Sequence, residues 1–402
     1  MTVLRRTAGV LAATAVIGTA TPAATAAASP SPSASAVLPS GLYGSADPKF
    51  DGVWRQSLAL LAQRAVGVTP AVKAVDWLAG QQCANGAFAA FRAEPTAACD
   101  AKVAVDTNST AAAVQALKAV GGHDAAAGRA VTWLKSQQNK DGGWGYTPGS
   151  PSDTNSTGVV VGALAAADAS AERSPYDLLA KWSLPCAEDG GGALAYQPDQ
   201  KGKLAANADA TAAGVLGALG KGFVTTAGKA PAKGPACAGS DRALTREEVA
   251  RNGAAYLAGA MSGTGHLVSA LAGAAPQPDY GNTADAVVAL AAQGWTGQAK
   301  QPYAWLETHA APWAGQSGPA AYAELILAAH AMGADPRHFG GTNLVTALNA
   351  TGPAPQAAAA QQTGKKTAKK SGNSVWWIVG TGLVAGIGIG FLFSGRRKQR
   401  QL

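Results

Sequence analysis

Two identical clusters of polar side chains are the residues of this sequence best suited to chemistry. Residues 106–110 and 153–157 both read Asp-Thr-Asn-Ser-Thr, and shorter clusters follow around Asp209 and Asn282. Carboxylate, amide and hydroxyl groups can hydrogen-bond a ligand, but Asp, Asn, Ser and Thr are also the preferred residues at a helix start. A helix cap requires one such residue, and each full cluster has five. Two interpretations therefore stay open, helix capping alone and a ligand-binding rim.

Each full cluster follows a second repeated pattern, which must position it. The pattern is an aromatic-Leu pair, three residues, Gln, three residues, Gly, one residue and an aromatic. Its two clear copies consist of Trp77, Leu78, Gln82, Gly86 and Phe88, and of Trp133, Leu134, Gln138, Gly142 and Trp144. The spacing predicts an amphipathic helix whose Gln amide satisfies terminal backbone groups, then a glycine turn at positive φ that the last aromatic covers.

Three weaker copies extend the repeat, beginning near Trp182, Tyr256 and Trp305. Apolar helices are expected after them, at residues 207–220, 282–294 and 320–333. Strand-like alternation is absent, so the sequence predicts an all-α domain. The second helix of each pair is too apolar for a surface, which favours an inner ring of helices inside an outer amphipathic ring. An open solenoid is the alternative architecture.

The aromatic-Leu-Gln-Gly-Trp pattern resembles the repeat of the squalene–hopene cyclase and protein prenyltransferase superfamily, over residues 72–335. This resemblance implies an α/α toroid of five to six helix hairpins around a central cavity. The same toroid serves cyclases, prenyltransferases, lyases, thioester proteins and vitamin B12 carriers. It therefore implies a fold without implying one activity.

The motifs that start catalysis in this superfamily are absent from the sequence. Terpene cyclases use DxDD or DDxxD, and the chain contains neither an adjacent Asp pair nor Asp-x-Asp. Prenyltransferases hold zinc with an Asp-x-Cys pair and a distant His; that pair is absent, and the five histidines are scattered singly. A thioester needs Gln after Cys-x-Glu, whereas Asp189 follows Glu188 here. These absences favour a non-catalytic protein, with no catalytic residue and no metal ligand assigned.

The vitamin B12 carriers of the intrinsic factor and transcobalamin type are the functional relatives that the sequence resembles most, at VDTNSTAAAVQAL in residues 105–117. This resemblance implies that Asp106, Thr107, Asp153 and Thr154 face a ligand. The predicted ligand-binding set comprises Asp106, Thr107, Asn108, Trp144, Tyr146, Asp153, Thr154, Asn155, Asp209, Asn282 and Asp285. The second, β-rich domain of these carriers has no counterpart here, which leaves a weaker receptor or one that needs a partner to close the site.

The resulting hypothesis is a non-catalytic toroid that binds a small molecule at its cavity mouth. A corrinoid is the candidate ligand, no other cofactor is expected, and a membrane transporter is a candidate partner. Two alternatives stay open. One is a degenerate lipid-active enzyme of the squalene cyclase or prenyltransferase type, and the other is a structural surface module.

Both ends of the chain carry signals of export and anchoring. The expected segments are a signal peptide (1–28), a Pro/Ser/Ala-rich tether (29–49), the toroid with five repeats (50–350), an Ala/Gln/Lys-rich linker (351–373), a transmembrane helix (374–395) and a basic tail (396–402). The apolar span is near the ~20 residues that a membrane-crossing helix needs, and the positive-inside rule places the basic tail in the cytoplasm. The sequence thus predicts a single-pass protein of the cell membrane with its toroid outside.

The net charge of +8 belongs to these ends rather than to the toroid. Ten of the 32 Lys and Arg residues lie in the signal peptide or beyond residue 350, which leaves 22 basic residues against all 24 acidic ones. The basic isoelectric point is therefore no evidence for nucleic acid, and none is expected as a partner.

The four cysteines are compatible with disulfides, because an exported domain lies in an oxidising compartment. Of three connectivities, Cys83–Cys99 with Cys186–Cys237 is favoured because each pair brackets a loop within one repeat. A zinc site is the competing interpretation, but no two cysteines are spaced two to four residues apart.

Overall fold

The computed structural model describes residues 39–100, 102–230, 234–239, 242–269 and 275–357. The α-helices in these ranges are α1 Gly52–Ala65, α2 Val72–Gly80, α3 Thr107–Val120, α4 Asp124–Ser136, α5 Thr154–Ala166, α6 Pro175–Lys181, α7 Ala208–Ala218, α8 Arg246–Met261, α9 Tyr280–Ala292, α10 Thr296–Ser317, α11 Pro319–Met332 and α12 Leu344–Asn349. The domain is helical as predicted. It also contains short strands, β1 Phe88–Ala89 with β2 Val105–Asp106 and β3 Leu267–Ser269 with β4 Gln277–Asp279, both antiparallel. Two to three residues are too few to show an alternating pattern.

The odd-numbered helices form a closed inner ring. Each of α1, α3, α5, α7 and α9 contacts the next odd-numbered helix, and α11 contacts α1. The even-numbered helices lie outside; each of α2, α4, α6, α8 and α10 packs on the inner helices before and after it, and α12 packs on α11. This closure confirms the α/α toroid and excludes the open solenoid.

Small residues let the inner helices approach closely. A Cβ atom on Gly158 of α5 would lie 2.4 Å from the carbonyl oxygen of Ala213 in α7. A Cβ atom on Gly217 would in turn lie 2.9 Å from the Cα atom of Gly158. Real Cβ atoms do not tolerate such contacts, so the Ala- and Gly-rich composition of the second helices is a packing requirement of the ring.

The glycine of each outer-helix turn has two reasons to be glycine. Gly86 and Gly142 have φ of 94° and 91°, which confirms the predicted positive φ. In addition, a Cβ atom on Gly86 would lie 2.4 Å from the carbonyl oxygen of Arg129 in α4, and one on Gly142 would lie 2.4 Å from that of Ser174, the cap of α6. Successive repeats therefore mesh backbone against backbone at these turns.

The repeated Gln connects repeats rather than capping its own helix. The Gln138 side chain donates from Nε2 to the carbonyl oxygens of Gly142 (2.7 Å) and Arg173 (2.8 Å). Its Oε1 accepts from the backbone N–H groups of Glu172 and Arg173. Gln82 donates in the same way to Gly86 and to Ala126 of the next outer helix. The expectation that this amide serves its own helix end is therefore corrected.

The ring closes at a seam between α1 and α11, where Tyr43 is fully buried. The Tyr43 hydroxyl donates to the carbonyl oxygen of Pro353 (3.0 Å) and accepts from Gln63 Nε2 of α1 (2.9 Å). The backbone N–H of Gly44 donates to the carbonyl oxygen of Thr351 (2.8 Å). Residues 39–49 and 351–357, assigned to tethers by sequence, thus pack against the ring because they form this seam.

Both predicted disulfides, Cys83–Cys99 and Cys186–Cys237, are present. No helix within the described ranges is long and apolar enough to cross a membrane. The predicted signal peptide at 1–28 and the predicted transmembrane helix at 374–395 lie outside those ranges.

Candidate functional site

The full polar clusters form the joints at which α3 and α5 begin. Asp106 Oδ1 accepts from the backbone N–H of Ser109, and Asp153 Oδ1 accepts from that of Ser156, each at 2.6 Å. The Thr at the fifth position joins the helix to the turn before it. Thr157 Oγ1 accepts from the backbone N–H of Trp144 at 3.1 Å. The first and last residues of the cluster therefore have structural partners.

The same joint recurs where the sequence has diverged. Asn207 caps α7 by accepting from the Ala210 N–H (2.8 Å), and Asp279 caps α9 by accepting from the Asn282 N–H (3.1 Å). Thr211 and Thr283 accept from the residues that close the preceding turns, Leu194 and Leu267. Helix α9 thus begins at Tyr280, two residues before the predicted start. The signal was the spacing, because Asp279 precedes Thr283 by four residues as Asp106 precedes Thr110.

The third residue of the joint points to the axis of the ring. Asn108, Asn155 and Asp209 occupy this position in α3, α5 and α7, and all three line a cavity of about 250 Å³. Asn155 Nδ2 donates to Asp209 Oδ2 at 2.6 Å. The remaining lining residues are Trp54, Gln115, Gly158, Val159, Ala212, Ala213, Leu216, Lys221, Gly222, Phe223 and Asp285. The cavity therefore combines amides, carboxyls, aliphatic surface and two aromatic rings.

A segment that follows α7 lines the end of the cavity toward the helix C termini. The backbone N–H of Phe223 donates to Gln115 Oε1 of α3 at 2.9 Å. The Phe223 ring meets the Trp54 ring of α1 edge to face, with centroids 5.4 Å apart. Gly222 packs so closely that an added Cβ atom would lie 2.3 Å from Gln115 Oε1. These contacts fix an aromatic pair against the cavity.

Carboxyl groups are concentrated on the neighbouring inner helices α7, α9 and α11. Burial, and then the charges of Asp209 and Asp279, raise the pKa of Asp285 to about 7. Burial raises the pKa of Glu324 in α11 well above its usual value, with Asp285 as the largest charged contributor. Asp285 lines the cavity, and the side chains of Asp285 and Glu324 are both partly buried. With a pKa of about 7, Asp285 is partly protonated at neutral pH.

The carboxyls of the first two joints are held differently. Burial raises the pKa values of Asp106 and Asp153, while the N–H groups of Ser109 and Ser156 oppose that rise. The half-exposed Tyr146 ring lies near Asp106, whose charge adds to burial in raising the pKa of the phenol. This rim of the ring is therefore polar and hydrogen-bonded.

The structure separates the predicted site residues into groups. Asn108, Asn155, Asp209 and Asp285 line the cavity. The hydroxyl of Thr154 donates to the Ala195 carbonyl oxygen, whereas the fully buried Thr107 hydroxyl has no partner. The Thr154 hydroxyl thus has a structural partner. A role of Thr107 or Thr154 in ligand binding stays a prediction.

Two further predicted residues lie away from the cavity wall. Trp144 is fully buried, and its indole N–H donates to the Leu134 carbonyl oxygen at 2.7 Å. Asn282 Nδ2 donates to Asp279 Oδ2 at 2.8 Å. Sequence reasoning missed Trp54, Phe223 and Glu324. For Glu324 the signal was its position, six residues after the cap Gly318, as Asp285 is six residues after the cap Asp279.

No group of three His, Cys, Asp or Glu side chains in the described part of the chain is arranged to hold a metal ion.

Comparison with known proteins gives a family match over part of this ring. The family described as Squalene-hopene cyclase C-terminal domain matches residues 105–180, which include α3, α4, α5 and the start of α6. This match supports a relationship to the terpenoid cyclase superfamily, and it leaves the predicted closeness to vitamin B12 carriers without support. Comparison with curated proteins gives no match.

Two solved structures are similar to the chain at low identity. The ent-copalyl diphosphate synthase from Streptomyces platensis is 15% identical, with a TM-score of 0.46 over 70% of this chain and 50% of the synthase. A protein from Actinoplanes is 18% identical, with a TM-score of 0.31 over 69% of this chain and 99% of that protein. The chain spans half the length of the synthase that it resembles.

Proposed function

We propose that this chain is a cell-surface toroid that binds a small molecule inside its central cavity. The observation that carries the proposal is Asp285, an enclosed carboxyl that lines the cavity. Enclosed polar groups are normally hydrogen-bonded, and concave sites with a few convergent polar groups in an otherwise apolar wall are the usual form of ligand sites. A ligand that hydrogen-bonds the Asp285 carboxyl would explain why a carboxyl lines this cavity, which packing alone does not explain.

The size of the cavity argues for a ligand smaller than a corrinoid. Sites for drug-sized ligands span about 300 to 1,000 Å³, and this cavity has about 250 Å³. A corrin ring with its side chains is several times larger. We therefore propose that the ligand binds inside the ring rather than at its mouth, and that it is not a corrinoid.

The surface location remains part of the proposal. Two disulfides favour an oxidising compartment, which agrees with export. A surface receptor that releases its ligand inward would pass it to a membrane transporter, the partner that we propose.

Native mass spectrometry of the full chain, incubated with a library of small metabolites, isoprenoids and corrinoids, tests this function. We expect one class of small molecule to bind and to be lost in Asp285→Asn. Asp168→Asn is the matched control, since Asp168 is exposed beyond the end of α5 and its φ of 52° suits Asn. Binding that survives Asp285→Asn, or a library without any binder, would refute the proposal.

A second candidate is a lipid-active enzyme of the cyclase type. The family match at residues 105–180 and the aromatic pair Trp54–Phe223, which lines the same cavity as Asp285, favour it. The raised pKa counts against it, because protonating an alkene requires a strong acid and Asp285 is a weak one. Incubation with squalene and isoprenoid diphosphates, followed by gas chromatography, decides between the two. Products that depend on Asp285 would replace the binding function by an enzymatic one.

A further inference from the structure

We propose that the ligand of the central cavity is a small organic cation, an alkylammonium whose charge lies between Asp285 and Asp209. The inference rests on the proposed function, and it adds the chemical class of the ligand. Three features of the described residues carry it: the sign of the field, the absence of an internal counter-ion, and the chemistry of the unsatisfied groups.

The field at the cavity wall is negative from several directions. Asp285 on α9 faces Asp209 on α7 and the cap Asp279, both of which act on it electrostatically. Besides burial, the charges of Asp285, Asp279 and Asp209, in decreasing order of effect, raise the pKa of Glu324 on α11. The carboxyls of Asp209 and Asp279 therefore oppose the ionisation of both Asp285 and Glu324.

No cation of the described chain neutralises this wall. The ion pairs in the described ranges involve Asp51, Asp124, Glu247, Glu248 and Asp335, none of which lines the cavity. Lys221 lines the same cavity, but it is exposed and forms no ion pair with these carboxyls. A buried charge without a partner is costly, so the wall favours a positive charge supplied from outside the chain.

The unsatisfied groups of the wall are acceptors. The carbonyl oxygens of Asn108 and Asn155 are buried without a hydrogen-bond partner, and the Asn155 amide is oriented by its bond to Asp209. No described group donates to Asp285 or Glu324. An ammonium group has donors and no acceptor, so it complements this set, whereas a carboxylate or phosphate ligand would be repelled.

The apolar part of the cavity lining suits the rest of such a ligand. Trp54 and Phe223 offer aromatic surface, and Val159 and Leu216 offer aliphatic surface. Aromatic faces stabilise cations and also pack alkyl groups. The cavity therefore combines carboxyl groups with apolar surface, which fits an amphipathic amine of few carbon atoms.

Calorimetry with two isosteric probes, cyclohexylmethylammonium and cyclohexylmethanol, tests the inference on the full chain. At about pH 8 we expect the cation to bind at least about tenfold more tightly than the alcohol. At about pH 5.5 Asp285, whose pKa is about 7, is protonated, and we expect the affinity for the cation to fall by about tenfold. Asp285→Asn and Glu324→Gln should each weaken binding of the cation and not of the alcohol. Asp168→Asn should leave both affinities unchanged.

The outcomes separate this inference from the proposed function. Equal affinity for the two probes, or tighter binding of the alcohol, overturns the cation and leaves a small-molecule site in place. Binding of neither probe also overturns the cation, while the metabolite library judges the site independently. Should one variant fail to fold, as its melting temperature would show, the other variant and the pH dependence still decide the question.

Discussion

The wall formed by α3 and α5 and the wall formed by α7, α9 and α11 use the same joint but carry different chemistry. In α3 and α5 the carboxyl groups of Asp106 and Asp153 are helix caps with backbone partners. In α9 and α11 the carboxyls of Asp285 and Glu324 lie one to two turns further along the helix and receive no hydrogen bond from a described group. The carboxyls of α3 and α5 therefore stabilise the ring, whereas those of α9 and α11 remain available to a ligand.

This difference shows where a repeat protein can place a site. The position six residues after the cap is Ala112 in α3, Val159 in α5 and Ala213 in α7, all of which suit packing. In the two helices with the most altered starts it is Asp285 and Glu324. The copies that keep the sequence signature thus specify the fold, and the copies that have lost it supply the chemistry.

The largest expected contrast concerns the fold-forming wall. Trp144→Ala should lower the free energy of unfolding by about 3–5 kcal/mol, because the ring is fully buried and closes the turn before α5. Tyr146→Ala, two residues away and half-exposed, is the control and should lose about 1 kcal/mol or less. Urea denaturation measures both. Equal losses would show that this wall does not depend on its repeated aromatic.

Two carboxyl substitutions should have different effects on the free energy of unfolding. Asp153→Ala should destabilise the protein by about 2 kcal/mol, since it removes the cap of α5 and strands the Ser156 N–H. Asp285→Asn should leave stability unchanged or raise it at pH 8, since it removes an ionisable group without a partner. Denaturation under identical conditions compares them. A loss in Asp285→Asn as large as that in Asp153→Ala would make the two walls equivalent.

The pH dependence of stability should distinguish the walls less strongly. The pKa of Asp285 rises from 3.8 to about 7 on folding, so the unfolded chain releases the proton first. Stability is therefore lost as pH rises from about 4 to about 7 and stays level above that range. We expect this loss to be on the order of 1 kcal/mol smaller in Asp285→Asn than in the native chain. Parallel melting curves for the two proteins across that range would refute the assignment.

The smallest effect is expected at the rim. Tyr196 is half-exposed, and its hydroxyl lies near Asp153, a carboxyl that Ser156 already holds from two groups. Tyr196→Phe should therefore change the free energy of unfolding by about 0.5 kcal/mol or less. A larger loss by denaturation would mean that the rim tyrosine, and not Ser156, holds the cap in place.

The sequence was enough for the ring but not for its chemistry. The spacing of Trp133, Gln138 and Gly142 has a local meaning, so the helix, the turn and the positive φ could be predicted from it. The disulfide pairing followed from the position of each cysteine within its repeat. The Gln contacts could not be predicted, because the partners of Gln138 belong to the next repeat and are set by how two units mesh.

Glu324 was missed for a related reason. Helix α11 starts at Gly318-Pro319 without a polar cluster, so the cap from which the six residues to Glu324 are counted is recognised only once the start of the helix is known. Which face of an inner helix meets the axis depends on that phase and on closure of the ring. The raised pKa values of Asp285 and Glu324 arise only when α7, α9 and α11 bring their carboxyls together.

The seam at Tyr43 links ligand binding to the order of folding. The hydrogen bond from Tyr43 to Pro353 joins residues 310 positions apart, whereas the contacts from α1 through α3, α5, α7 and α9 to α11 join consecutive inner helices. Contacts of such long sequence separation form late because the loop must close first. Trp54 of α1 and Asp285 of α9 both line the cavity, and α11 lies between these two helices in the ring. A ligand that binds the closed ring therefore stabilises this junction. The occupied protein should then open at its seam less often than the empty one.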